Sequence, residues 1–236
     1  MFKLSDSVAF RRGVTGVLLF VAPLLQFVAL LVDPGTWGDD REMVSYGANP
    51  ALAQLESALY HWSWMLVPIA AFGLLHLVRK KSVILGHIAG GMTIIGYMSV
   101  SALLLMDPVE WWFGQHYPVE QGEKMFNEVF DIPGVVFGFT LPWIYFGMVG
   151  LPLLLLAVSR TGFVHWWVPA VVAVGYLGAV AVPYSPATIP FWGAPVIAMG
   201  YLGLKVLKMT NAQWRSYYPS ADPGVTTPDS YANTTA

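Results

Sequence analysis

Val83–Met106, VILGHIAGGMTIIGYMSVSALLLM, contains no Asp, Glu, Lys or Arg. At about 1.5 Å per residue, a helix needs about 20 residues to cross a hydrocarbon core of about 30 Å, and this run is long enough. A spanning strand would need only about 10 residues and strict polar–apolar alternation, which is absent here. An uninterrupted apolar run satisfies its backbone polar groups in lipid only as a helix. Five further stretches read the same way: Gly13–Val32, Ser57–Val78, Gly134–Ser159, Val164–Val182 and Ile189–Val206. The expected fold is therefore all-α, a polytopic bundle of six transmembrane helices within residues 1–210. Two outer loops (33–56 and 107–133) and a mostly disordered tail (211–236) complete it.

Composition agrees. Of 236 residues, 56% are hydrophobic and 11% charged, where soluble domains carry about 25% charged residues. Ten tryptophans suit an aromatic belt at headgroup level. A net charge of −2 excludes a nucleic-acid partner on electrostatic grounds. The absence of cysteine excludes disulfides, thiolate metal sites and thiol nucleophiles. The first stretch follows basic residues as a signal peptide would. Its apolar core exceeds the usual 7–15 residues, however, and Val32-Asp33-Pro34-Gly35 offers no small-residue cleavage site, so it reads as a helix.

Basic residues orient the helices. Lys3, Arg11, Arg12, Arg79, Lys80, Lys81, Arg160, Lys205, Lys208 and Arg215 fall on one side, and only Arg41 and Lys124 on the other. The positive-inside rule then places both termini in the cytoplasm and the chain in the cytoplasmic membrane. The short turns Arg79–Ser82 and Arg160–Phe163 make helices two and three, and four and five, antiparallel hairpins.

The outer side is acidic. Asp33, Asp39, Asp40, Glu42 and Glu56 lie in the first loop, and Asp107, Glu110, Glu120, Glu123, Glu128 and Asp131 in the second. Glu56 precedes helix two and Asp107 ends helix three, so the hairpin brings them together. With His61 and His116 they form a candidate ligand site, suited to a divalent cation or a proton relay; the plainer expectation is a solvated acidic rim. Val119–Phe130 places Met125, Phe126, Val129 and Phe130 at helical spacing, which predicts an amphipathic surface helix. Glu110-Trp111-Trp112-Phe113 reads as an interfacial anchor. Trp214, Tyr217 and Tyr218 are expected to hold the start of the tail at the inner headgroups.

On the inner side, His76 and His87 flank the first basic turn, and His165 opens helix five. Paired imidazoles can ligate haem b, but adjacent helices about 8–10 Å apart leave little room for a macrocycle, so one ligand would have to come from a non-neighbouring helix, as His165 would. The plainer expectation is interfacial histidines bonded to carbonyls or water. At mid-depth the polar groups are Thr93, Tyr97, Ser99, Ser101, Thr140, Tyr145, Tyr176 and Tyr201, placed either to line a polar cavity or to bond back along their own helices. Gly86, Gly90 and Gly91, and Gly134 and Gly138, give small-residue faces for close helix packing. No metalloprotease, nucleophile-elbow, Walker or dinucleotide motif occurs.

Leu66-Val67-Pro68, Gly73-Leu74, Arg79-Lys80-Lys81, Gly90-Gly91 and Asp107 form a pattern over about a quarter of the chain. It resembles a loose group of six-helix actinobacterial membrane proteins with no established activity. The resemblance implies the same topology and carries no activity with it. The expected function is non-enzymatic: a small transporter or channel-like protein, or an accessory subunit of a larger membrane complex, with homo-oligomers also open. The alternative is a haem-binding electron-transfer subunit.

Overall fold

The computed structural model describes residues 6–38 and 42–217. Lys3, Asp39, Asp40, Arg41, Tyr218 and the tail beyond it lie outside them. Among the described residues every regular element is helical. The long elements are α1 (Ser7–Val32), α4 (Pro50–Leu75), α5 (Val83–Leu103), a continuous helix Pro133–Ser159, α10 (Trp167–Ala181) and α11 (Ile189–Lys208). Between them lie α2 (Pro34–Trp37), α3 (Glu42–Ala48), α6 (Met106–His116) and α7 (Val119–Phe130), with α12 (Asn211–Arg215) at the end. The helix Pro133–Ser159 begins as α8 (Pro133–Val135) and finishes as α9 (Met148–Ser159).

Five spans are long and apolar enough to cross a membrane: Ser7–Val32, Pro50–Leu75, Val83–His116, Pro133–Ser159 and Pro186–Lys208. The sixth apolar helix, α10, has only 15 residues. It starts later than Val164 because Gly162, at φ +84°, closes a turn that carries Phe163–His165 before the helix begins. Helix two starts at Pro50 and not at Ser57, because proline suits the first helical position. Glu56 therefore sits inside a helix and not in a loop.

Local chemistry explains the other ends. The Asp6 carboxylate caps α1, accepting from the Val8 and Ala9 amides at 2.9 and 3.3 Å. Asp33 ends α1 and caps α2. Between α8 and α9, Val136–Thr140 and Trp143–Gly147 are π-helical. Pro142 lies between them, lacking an N–H and clashing with the turn before it, and the wider winding absorbs that misfit.

Packing closes a ring in which α1 neighbours α4, α4 neighbours α5, α5 neighbours α9, α9 neighbours α10, α10 neighbours α11, and α11 returns to α1. Leu19, Leu74, Leu154, Val172, Met199 and Leu202 fill the interior. Outward faces are apolar as well: Ile84, Ile88, Ile95 and Met98 of α5 are all more than half exposed, as a lipid-facing stripe requires. The close approaches use only some of the glycines expected: a Cβ on Gly86 would lie 2.4 Å from Val78 Cγ1 and one on Gly90 2.7 Å from Leu75 Cδ2. Gly91, Gly134 and Gly138 face open space, whereas a Cβ on Gly96 would lie 2.0 Å from the Gly147 nitrogen and one on Gly203 2.5 Å from the Gly16 carbonyl. The π-helical turn thus brings Gly147 against α5.

The bundle has two unlike ends. At the basic end, Arg12 is buried and donates to the Leu207 carbonyl at 2.7 Å. Lys205 donates to the Phe163 carbonyl at 2.6 Å, and the Arg79 guanidinium lies 4.3 Å from the centre of the Tyr217 ring. Trp214 is buried against the bundle, stacked on His76 at 4.2 Å. The start of the tail therefore docks on protein and not on headgroups. At the opposite end α2, α3, α6 and α7 form a cap. The surface helix α7 spans Val119–Phe130 as the spacing predicts.

Candidate functional site

The acidic cap is built on the last turn of α1 and the first turns of α4. The Asp33 Oδ1 accepts the Gly35 amide at 2.7 Å, and its other oxygen accepts the Tyr184 hydroxyl. The Tyr184 and Tyr60 hydroxyls are 3.2 Å apart. On α3, Tyr46 donates to Glu42 Oε1 at 3.1 Å. Ser57 donates to Asp107 Oδ2 at 3.0 Å, which is the hairpin contact expected between helices two and three. Glu56, 1% exposed, points into this cluster, and among the described residues neither of its carboxylate oxygens has a hydrogen-bond partner. Glu110, 8% exposed, lies within electrostatic range of Glu42 and Asp107.

Five carboxyl groups thus share one region, in which Asp33, Glu56 and Glu110 are buried, Asp107 is half-buried and Glu42 keeps an exposed side. Among the described residues none of them forms an ion pair with a lysine, arginine or histidine. The solvated rim expected from the sequence forms in part: His61, His116, Glu128 and Asp131 are exposed, whereas α3 and α6 fold over the end of α4 and bury Glu56 and Glu110. Burial pushes the Asp33 carboxyl above its ordinary value, against the pull of its hydrogen bonds from Tyr184 and Gly35. Glu42 is raised by burial first and then by the Asp33 charge. The Tyr46 phenol is raised by burial and then by Glu42, Asp33, Glu56 and Asp107. Tyr184 is also raised, chiefly by burial.

The four candidate ligand residues separate into two pairs. Glu56 and Asp107 meet in the cluster. His61 turns to the exposed face, its Nδ1 2.9 Å from the Ser101 hydroxyl. His116 is exposed on α6, stacked on Trp112 at 4.4 Å with Nδ1 on the Trp112 carbonyl. Glu128 faces solvent beside Lys124, and Asp131 is exposed. Among the described residues no three His, Asp or Glu side chains stand where they could hold one metal ion. Sequence reasoning did not select Asp33, Glu42, Tyr46, Tyr60 or Tyr184 for the site. The four-residue step from Glu42 to Tyr46 was the one available signal for any of them.

Below the cluster an aromatic ring closes inside the bundle. Tyr60 stacks on Trp64 at 5.1 Å, Trp64 lies 5.6 Å from Trp143, and Trp143 meets Tyr97 edge-on at 5.3 Å. Tyr97 donates to the Tyr176 hydroxyl at 2.7 Å. Tyr176 touches Trp192 at 6.1 Å, and Trp192 returns to Tyr60 at 6.4 Å. The indole N–H groups of Trp64 and Trp192 are buried without an acceptor. Thr93 and Ser99 bond back to Ala89 and Ile95 on their own helix, both at 2.8 Å, so they line no polar cavity.

At the basic end His76 and His87 do line one cavity, of about 590 Å³. The Nε2 of His76 is 2.7 Å from the Trp214 carbonyl and the Nδ1 of His87 is 2.8 Å from the Val83 carbonyl. His165 is exposed and does not border this cavity. Comparison with protein-family models, with curated proteins and with solved structures returned no match.

Proposed function

We propose that this chain is a six-helix protein of the cytoplasmic membrane, both termini inside, acting as a small transporter that takes up and releases protons at its outer acid–tyrosine cluster. Two features support the topology. The helix α10 occupies a full place in the closed ring despite its length, rising about 22 Å, and lipid adapts to a short span by local thinning. The basic residues gather at one end, which the positive-inside rule assigns to the cytoplasm.

The observation that carries the reading is Glu56. An ionised carboxylate in this position would have no donor and no counter-ion among the described residues, and burying such a group costs several kcal/mol. A bound proton removes that cost with a single carboxyl, whereas a metal ion needs several converging ligands. The hydrogen-bonded series Asp33–Tyr184–Tyr60 extends from the cluster toward the aromatic ring and gives a proton partners on the way in.

The test is proton entry into liposomes holding a trapped pH-sensitive dye, under an inward proton gradient with charge compensation. Wild type is expected to acidify the interior faster than protein-free liposomes, and Glu56→Gln at least ten-fold more slowly than wild type. Wild-type flux equal to protein-free liposomes overturns the transporter reading. The rival, haem binding, draws on the cavity shared by His76 and His87. One ring nitrogen of each is already engaged by a backbone carbonyl. A Soret band in protein purified from haem-replete cells would favour the rival.

A further inference from the structure

The cavity at the basic end lies between α1, α4, α5 and α12, well away from the acidic cluster. Its wall is apolar, formed by Val14, Ile69, Phe72 and Leu75 together with Val8 and Phe10. Its rim carries Arg11, Arg215, His76 and His87. The cavity exists for two local reasons. A Cβ on Gly73 would lie 2.0 Å from the Thr15 hydroxyl, so glycine there lets α1 and α4 close its floor. The short helix α12, started by a capping box between Thr210 and Gln213, swings Trp214 onto His76 and holds Arg215 over the opening.

The cations at this end divide by use. Arg12, Arg79 and Lys205 are spent on the protein itself, on a carbonyl, a ring and a carbonyl. Arg11 and Arg215 are exposed, border the cavity, and make no side-chain hydrogen bond or ion pair within the described residues. Two uncommitted guanidiniums above an apolar slot between membrane helices are complementary to an amphiphile with an anionic head and an acyl chain. Guanidinium matches phosphate oxygens in bidentate geometry, and basic pockets between transmembrane helices suit acidic lipid headgroups.

We infer that this cavity binds an anionic phospholipid of the adjacent leaflet, its phosphate between Arg11 and Arg215 and an acyl chain along Ile69 and Phe72. A neutral lipid matches the slot but not the rim, and a free anion matches the rim but not the slot. This assignment does not depend on proton transport at the other end.

Native mass spectrometry of the detergent-purified full chain, titrated with equal amounts of phosphatidylglycerol and phosphatidylcholine, tests it. Wild type is expected to retain phosphatidylglycerol with at least ten-fold preference. Arg11→Gln combined with Arg215→Gln brings the preference to near parity. Arg160→Gln, which removes a charge at the same end but not at the cavity, leaves it unchanged. Equal retention of the two lipids by wild type overturns the assignment, as does a preference that survives the double substitution or falls equally in Arg160→Gln. Competition by millimolar inorganic phosphate as effective as that by phosphatidylglycerol would reduce the site to a free-anion site and overturn the lipid reading. Circular dichroism of each variant separates loss of binding from loss of fold.

Discussion

Replacing Glu42 with glutamine isolates the electrostatic cost of the acidic cluster while preserving shape. The Asp33 Oδ1 and the Glu42 Cγ lie 3.2 and 3.3 Å from one point, the position a Cβ on Gly35 would take, and so within about 6.5 Å of each other, the sum of those distances. Two unit charges at about 6.5 Å repel by about 2.5 kcal/mol in an effective dielectric of about 20 and by about 0.6 kcal/mol in bulk water; Glu42 reaches solvent, so screening leaves about 1 kcal/mol. Both carboxyls are raised, by burial above all, so their folded forms favour the proton more than unfolded ones do. The stability each contributes is full below the ordinary carboxyl range and is lost as pH rises through the raised folded value. Wild-type protein in detergent should therefore melt at progressively lower temperature as the pH is raised from about 4 to about 9. Glu42→Gln should change little at about pH 4 and should be stabilised by about 1 kcal/mol at about pH 8. That corresponds to roughly 2–4 °C in a chain of this size. The amide oxygen still accepts the Tyr46 hydroxyl, so no hydrogen bond is lost. Circular dichroism melts across that pH series measure the effect. A wild-type melting temperature that rises with pH, or a Glu42→Gln variant less stable than wild type at pH 8, would refute the reasoning.

Other outcomes follow from the same contacts. Tyr184→Phe removes the donor to buried Asp33 and should cost about 1–3 kcal/mol, read as a lower melting temperature above pH 6. Gly96→Leu drives a side chain into the Gly147 backbone; overpacking of this kind costs about 1–3 kcal/mol or more, and the yield of monodisperse protein should fall. The same change at Gly91, which faces open space, should be tolerated. Trp214→Ala unstacks α12 from His76 and should expose the chain after Lys208 to limited proteolysis. Because the chain has no cysteine, single cysteines report topology directly. Impermeant maleimide added to intact cells should label Lys124→Cys but neither Ser82→Cys nor Thr161→Cys.

Much of the fold was legible because lipid imposes a simple rule. Charge-free runs about 20 residues long must be helices, and five of them are long and apolar enough to cross a membrane. The amphipathic spacing of Val119–Phe130 gave its helix residue for residue, and the Glu56–Asp107 proximity followed from hairpin geometry. What failed has identifiable causes. Pro50 extended helix two past the apolar run, since position in a helix, and not hydropathy, governs where proline starts one. Gly162 shortened the fifth apolar helix. Gly86 and Gly90 pack closely as expected, but Gly91, Gly134 and Gly138 do not, because the rotation of a helix about its axis cannot be read from a run that is apolar all round.

The residues alone specified the bundle, its antiparallel order and the separation of basic from acidic ends, because helix length and charge placement are local properties of the chain. The fate of the acidic residues was settled by assembly. Asp33, Glu42, Glu56, Asp107 and Glu110 come from four separate segments and read as surface carboxylates one at a time. They become neighbours, and Asp33, Glu56 and Glu110 become buried, because α3 and α6 fold across the end of α4 and bring Tyr46, Tyr60 and Tyr184 in among them. Burial is a property of what covers a group, and the covering elements are distant in sequence.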